Sequence, residues 1–112
     1  MKNEVQYSKR AVEDLERVFA EVFLASSSLE ISRDYINGLM DAVEKKADFP
    51  SSGAPLLLDG VFTGYYFVVF KAYMAFYRTE HGKMLVDRVL YGKSDYLKKL
   101  FGSAAEDDLT DD

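Results

Sequence analysis

Apolar positions along this chain switch period once. From Ala11 to Phe23 they recur at steps of three and four: Ala11, Val12, Leu15, Val18, Phe19, Val22 and Phe23. Glu13, Glu16, Arg17 and Glu21 fall between them, so the segment reads as an amphipathic helix with one apolar stripe. Ser8 stands where its side chain can cap the first turn. Ser26-Ser27-Ser28 breaks the pattern, and Ser27 with Glu30 has capping-box spacing for a second helix. The stripe of that helix is Ile31, Tyr35, Ile36, Leu39, Met40 and Val43. So short a serine link predicts an antiparallel helical hairpin. Ahead of it, Glu4 to Tyr7 reads as a short strand with Val5 and Tyr7 on one face.

The stretch Phe49-Pro50-Ser51-Ser52-Gly53-Ala54-Pro55 holds both prolines and ends the helical section. Beyond it, β-branched and aromatic residues crowd at 62–70, 73–79 and 84–91. His81-Gly82 is a tight-turn pair that makes the last two runs a hairpin, and a turn near Lys71-Ala72 joins the first two. Ser94 to Phe101, with Tyr96, Leu97, Leu100 and Phe101, predicts a short closing helix. Helices and strands segregate, which is the α+β pattern. The expected architecture is a helical hairpin on an antiparallel sheet made of the first strand and a three-stranded meander. The other sheet face is open or half covered by the last helix. Counting out from His81-Gly82 pairs Glu80 with Lys83, Arg78 with Leu85 and Phe76 with Asp87. One face then holds Met74, Phe76, Arg78, Leu85, Asp87, Val89 and Tyr91. The other holds Tyr73, Ala75, Tyr77, Met84, Val86, Arg88 and Leu90.

Composition narrows the chemistry. The chain has 112 residues, no cysteine and one histidine, His81. That excludes a disulfide framework, a thiolate metal site and a cysteine nucleophile, and leaves little room for a Ser-His-Asp triad. Neither a metal nor a cofactor is expected. The net charge of −5 belongs to the end: residues 103–112 hold five acids and no base. They read as a disordered acidic tail after a single domain at 1–102. That domain has 14 bases and 14 acids, a poor start for a nucleic-acid binder. Residues 71–102 are locally basic, with seven bases against three acids, so a small anionic site can lie there. No apolar run reaches transmembrane length and no signal-like segment follows Met1-Lys2-Asn3-Glu4, so a cytoplasmic protein without a membrane partner is expected. Eight Phe and eight Tyr exceed what one small core hides, which points to a surface that meets a protein partner.

Four pieces, in order, resemble the RelE/ParE family of toxins from type II toxin–antitoxin systems. Tyr7-Ser8-Lys9-Arg10-Ala11-Val12-Glu13-Asp14-Leu15 looks like the family's strand-to-helix junction, and Phe49-Pro50 to Gly53 like its "P..G" stretch. Tyr73 to Arg78 resembles its middle strand. Arg88-Val89-Leu90-Tyr91-Gly92-Lys93-Ser94-Asp95-Tyr96 resembles its last strand and turn. The resemblance implies a RelE/ParE-like fold and a cognate antitoxin whose C-terminal segment wraps the toxin. It also implies one of two targets. ParE-like members poison DNA gyrase, and RelE-like members cut mRNA in the ribosome.

RNA cleavage by 2′-OH attack needs a base, an acid and cations around the phosphate. In the ribonuclease branch the residue after the middle-strand Tyr is Arg, and here it is Met74. The strand before carries two Lys, and here those places fall near Phe67 and Val69. A basic pair after the last strand is here Lys93-Ser94. The remaining nuclease candidates are Arg78, Lys93 and Tyr96. Arg78 lies diagonal to Asp87 and reads more simply as a cross-strand pair, and Leu97, Leu100 and Phe101 give Tyr96 a packing role. His81 reads as a turn residue. Lys98 and Lys99 read most simply as a solvated helix end. The expectation is therefore a ParE-like toxin that acts by binding. Lys93, Asp95, Tyr96, Lys98 and Lys99 would form the target surface, and Val12, Phe19, Tyr35 and Phe67 the antitoxin surface. A homodimer or a hetero-oligomer with the antitoxin is the expected assembly. The alternatives are an mRNA endonuclease and a decayed toxin that only binds antitoxin.

Overall fold

A computed structural model describes residues 3–102, and the acidic segment 103–112 lies outside the described residues. The chain runs β1 (Glu4–Tyr7), α1 (Lys9–Ser26), α2 (Leu29–Glu44), a 3-10 turn (Pro50–Ser52), β2 (Ala54–Leu58), β3 (Val61–Phe70), β4 (Tyr73–Glu80), β5 (Lys83–Tyr91) and a π-helical turn (Lys98–Gly102). Ser8 caps α1, its Oγ accepting from the Ala11 N–H at 3.0 Å. The serine link divides its work differently from the capping-box expectation. Ser27 takes the left-handed conformation that closes α1, so the cap of α2 is Ser28, whose Oγ accepts from the Ile31 N–H at 3.1 Å. Among the described residues no helix is long and apolar enough to cross a membrane.

One sheet of five strands, in the order β1-β5-β4-β3-β2, replaces the expected four. The added edge strand is β2. It lies in the segment read as irregular, and the type I′-like turn Asp59-Gly60 (φ 53° and 80°) folds it onto β3. The sheet is also mixed, because β1 pairs parallel to β5 (Val5 opposite Met84, Tyr7 opposite Val86). The remaining pairs are antiparallel, and the expected Lys71-Ala72 and His81-Gly82 turns both form.

The faces follow the expected alternation only as far as Asp87. Glu80 pairs with Lys83 and Arg78 with Leu85, but Phe76 stands opposite Arg88 and Tyr77 opposite Val86. Asp87 is the extra residue of a β-bulge, and its carbonyl accepts from Ser8 Oγ at 2.8 Å. A one-residue insertion flips everything beyond it. Val89 and Tyr91 therefore turn to the helical face, and Arg88 and Leu90 to the opposite one. On the helical face Ala11, Leu15 and Val18 of α1 and Leu39 and Val43 of α2 pack on Val68, Tyr73, Tyr77, Met84, Val86 and Val89. On the opposite face Leu56, Met74, Phe76 and Leu90 form a second core under Tyr96, Leu97, Leu100 and Phe101. The short closing segment thus does cover part of that face, as expected.

Candidate functional site

The sheet face opposite the helices is partly covered by side chains of the closing segment. Phe76 is fully buried and Met74 is 7% exposed. Tyr96 lies on Phe76 (ring centroids 5.3 Å apart), and Tyr65 meets Phe101 edge-on at 5.6 Å. At the rim, Arg78 Nε donates to Asp87 Oδ2 at 2.9 Å and the Tyr65 hydroxyl donates to the same oxygen at 2.7 Å. Arg78 also pairs with Glu80 at 3.2 Å. Burial, and then the Asp87 carboxylate, push the Tyr65 phenol up to about 12, so it keeps its proton at neutral pH. Lys93 sits exposed in the turn after β5. No hydrogen bond or ion pair among the described residues joins Arg78, Lys93 and Tyr96.

The target-surface candidates do share one segment. Asp95 starts the helical turn, its Oδ1 accepting the Lys98 N–H at 3.4 Å and its carbonyl the Lys99 N–H at 3.2 Å. Lys93, Asp95, Lys98 and Lys99 are exposed around the half-buried Tyr96. The four antitoxin candidates are divided among separate surfaces. Val12 and Phe19 line an apolar groove of about 300 Å³ with Leu15 and Ile36 on the outside of the hairpin. Tyr35 instead packs edge-on against Phe70 and Tyr73 at 5.4 and 5.9 Å, and Phe67 lies on the opposite sheet face. Reasoning from sequence missed a second apolar surface. The β2–β3 hairpin runs past the end of its pairing with β4, and Leu57, Leu58, Val61 and Phe62 are all exposed there.

A buried carboxylate ties α1 to β5. Asp14, 2% exposed, accepts from Arg88 Nε at 2.8 Å, Arg88 Nη2 at 3.1 Å, Arg17 Nη2 at 3.0 Å and the Val89 N–H at 2.9 Å. The last bond serves the edge of β5 where β1 no longer covers it. Sequence reasoning quoted Asp14 and Arg88 as parts of two separate motifs but did not connect them. The i, i+3 spacing of Asp14 and Arg17 was the only local sign of the cluster.

With this geometry in hand, the comparisons are specific. The sequence model of a family described as "ParE toxin of type II toxin-antitoxin system, parDE" matches residues 5–96. The chain belongs to that family. No curated protein sequence is significantly similar to it. Among solved structures it resembles a chain of the chromosomal ParDE toxin–antitoxin system from P. aeruginosa (12% identity, 80% of this chain and 96% of that one, TM-score 0.66). It also resembles a chain of the RelBE2 toxin–antitoxin complex from Mycobacterium tuberculosis (16% identity, 81% and 99%, TM-score 0.54). At such identities the likeness is one of fold. The matched span of this ParE-family chain covers β1 through β5, including both partners of the Asp14–Arg88 pair. It stops at Tyr96, so Leu97, Leu100 and Phe101, which complete the second core, lie beyond it.

Proposed function

We propose that this ParE-family toxin acts by binding a protein target such as DNA gyrase, through Lys93, Asp95, Tyr96, Lys98 and Lys99, and not by cutting RNA. The observation that carries this reading is the second core. Met74 and Phe76 lie buried under Tyr96, Leu100 and Phe101, where a ribonuclease would present cations to a phosphodiester. Losing a general base or acid removes a factor of about 10² to 10⁴, and a site without several such groups retains little activity. Two cations remain on this face near the bulge, and both are engaged, Arg78 by Asp87 and Glu80 and Arg88 by Asp14. A cognate antitoxin silences the toxin by covering the apolar groove of Val12, Leu15, Phe19 and Ile36, as a helix laid in a groove would.

The deciding experiment is induction of the chain in a bacterium with and without the neighbouring gene. Growth arrest, relief by that gene, no discrete cuts by primer extension on ribosome-bound mRNA, and loss of supercoiling activity by purified gyrase are the expected results. Discrete cuts that vanish in Arg78→Ala would move the protein to the nuclease branch. Normal growth at good soluble expression would mark a toxin that only binds antitoxin. Val12→Glu with Phe19→Glu should abolish co-purification with the antitoxin, and an intact complex would show that the groove is the wrong surface.

A further inference from the structure

Three cavities of about 420, 390 and 390 Å³ run together along the seam between α1 and the C-terminal segment, and Lys99 lines all of them. The seam presents Lys9, Arg10, Arg17, Arg88 and Lys99. Its carboxylates are already engaged. Asp14 holds Arg17 and Arg88, Asp87 holds Arg78, and Glu21 accepts from the Tyr73 hydroxyl. Glu13, on the flank of α1, forms no ion pair among the described residues, and neither do Lys9, Arg10 and Lys99. In a domain of 14 bases and 14 acids, positive charge is thus in excess along one line, where Lys9, Arg10 and Lys99 have no ion pair among the described residues.

We propose that the occupant of this seam is the chain's own acidic C-terminal segment, residues 103–112, which docks against Arg10, Arg17, Arg88 and Lys99. The charges are complementary: Glu106, Asp107, Asp108, Asp111 and Asp112 are five carboxylates without a base among them. Position is the second argument. The segment starts at residue 103, directly after Gly102 and four positions past Lys99, and ten residues reach up to about 35 Å when extended. Tethering is the third. A ligand on the same chain is held at an effective concentration of roughly millimolar, so several weak exposed pairs suffice where a free anion would need a tight site. The docking is independent of the toxin's cellular target.

The absence of cysteine makes the test clean. A nitroxide on Thr110→Cys in the full chain should broaden the backbone amide signals of Arg10, Arg17, Arg88 and Lys99 at low salt. The effect should disappear in roughly 1 M salt, where the screening length is about 3 Å. It should also disappear in the double variant Arg10→Gln, Lys99→Gln. Both side chains are exposed and form no ion pair among the described residues, so the remaining amide spectrum should be unchanged and report an intact fold. Broadening scattered over the surface, or insensitive to salt and to the double variant, overturns the proposal. So does broadening that arises only from a labelled second molecule. A single-stranded oligonucleotide that shifts Arg10 and Lys99 while the nitroxide leaves them sharp would also overturn it, and would assign the seam to a phosphate backbone.

Discussion

Asp14 is a carboxylate that the fold cannot release to water. Four donor groups converge on it, and two of them belong to Arg88, itself only 12% exposed. Asp14→Ala leaves the guanidinium and the Val89 N–H without an acceptor, and breaking such a buried pair costs about 3–5 kcal/mol. Chemical denaturation should show that loss as a lower midpoint with an unchanged slope. Gly53 carries a different constraint. Its φ of −70° suits any residue, so the glycine is there for space and not for conformation. A Cβ at this position would run into the hydroxyl of the fully buried Tyr77, which donates to the Pro50 carbonyl. Gly53→Ala should destabilise by about 1–3 kcal/mol through overpacking. In a Tyr77→Phe background the hydroxyl is gone and part of that cost should vanish, a coupling that a double-mutant cycle reads directly. The "P..G" motif was visible in sequence, but its reason was not, because the tyrosine that fills the space is 24 positions away.

At the scale of elements, what local chemistry dictates was legible and what pairing dictates was not. The helical stripes, the serine link and the His81-Gly82 turn are short-range signals, and each produced the expected element. The strand β2 was missed although Asp59-Gly60 is a strong hairpin signal, because Pro50 and Pro55 made the region read as a loop. Proline is tolerated in β2 because this is an edge strand. The bulge at Asp87 had no local signature at all, and it reversed the faces of Val89, Tyr91, Arg88 and Leu90. Of the candidate site, the Arg78–Asp87 pair and the packing of Tyr96 could be anticipated. The seam of cations could not, since it joins α1, β5 and the closing segment. That segment is held mainly by apolar contact, so its removal should be local in effect. Phe101→Ala deletes a half-buried ring from the edge of Tyr65 and should cost about 1–2 kcal/mol. Amide exchange should quicken in β3 and β4 on the second-core side and stay unchanged in α1 and α2.

For the whole molecule, most aromatic side chains belong to two cores on opposite faces of one sheet or pack against them, while Phe23, Phe49, Phe62 and Tyr91 stay exposed. Four of the tyrosines built into these cores or against them have phenols that titrate upward. Tyr7, Tyr65 and Tyr77 are pushed up to about 12, and Tyr73 higher still, each chiefly by burial. In the unfolded chain they ionise near 10. The folded state therefore holds more protons than the unfolded state above pH 10. Stability is fully present below that pH and falls as pH rises from 10 through 12. A series of thermal melts should show a flat Tm up to about pH 10 and a steep decline beyond it. Tyrosinate absorbance from these four rings should appear together with unfolding and not before it.

The parallel pairing of β1 with β5 fixes when in its own synthesis this protein can become itself. The first strand made waits for the last, because Val5 and Tyr7 find their partners only at Met84 and Val86. Asp14 likewise waits for Arg88. Closing the two ends over nearly the whole domain is a non-local step, slow beside the local hairpins and helices that form earlier. While β5 is still inside the ribosome, β2, β3 and β4 can already pair, but β1 has no partner and both cores lack the residues β5 brings, Met84, Val86, Val89 and Leu90. A chain interrupted before residue 83 lacks β5, the strand that joins β1 to β4, so translation that stops early yields no folded toxin.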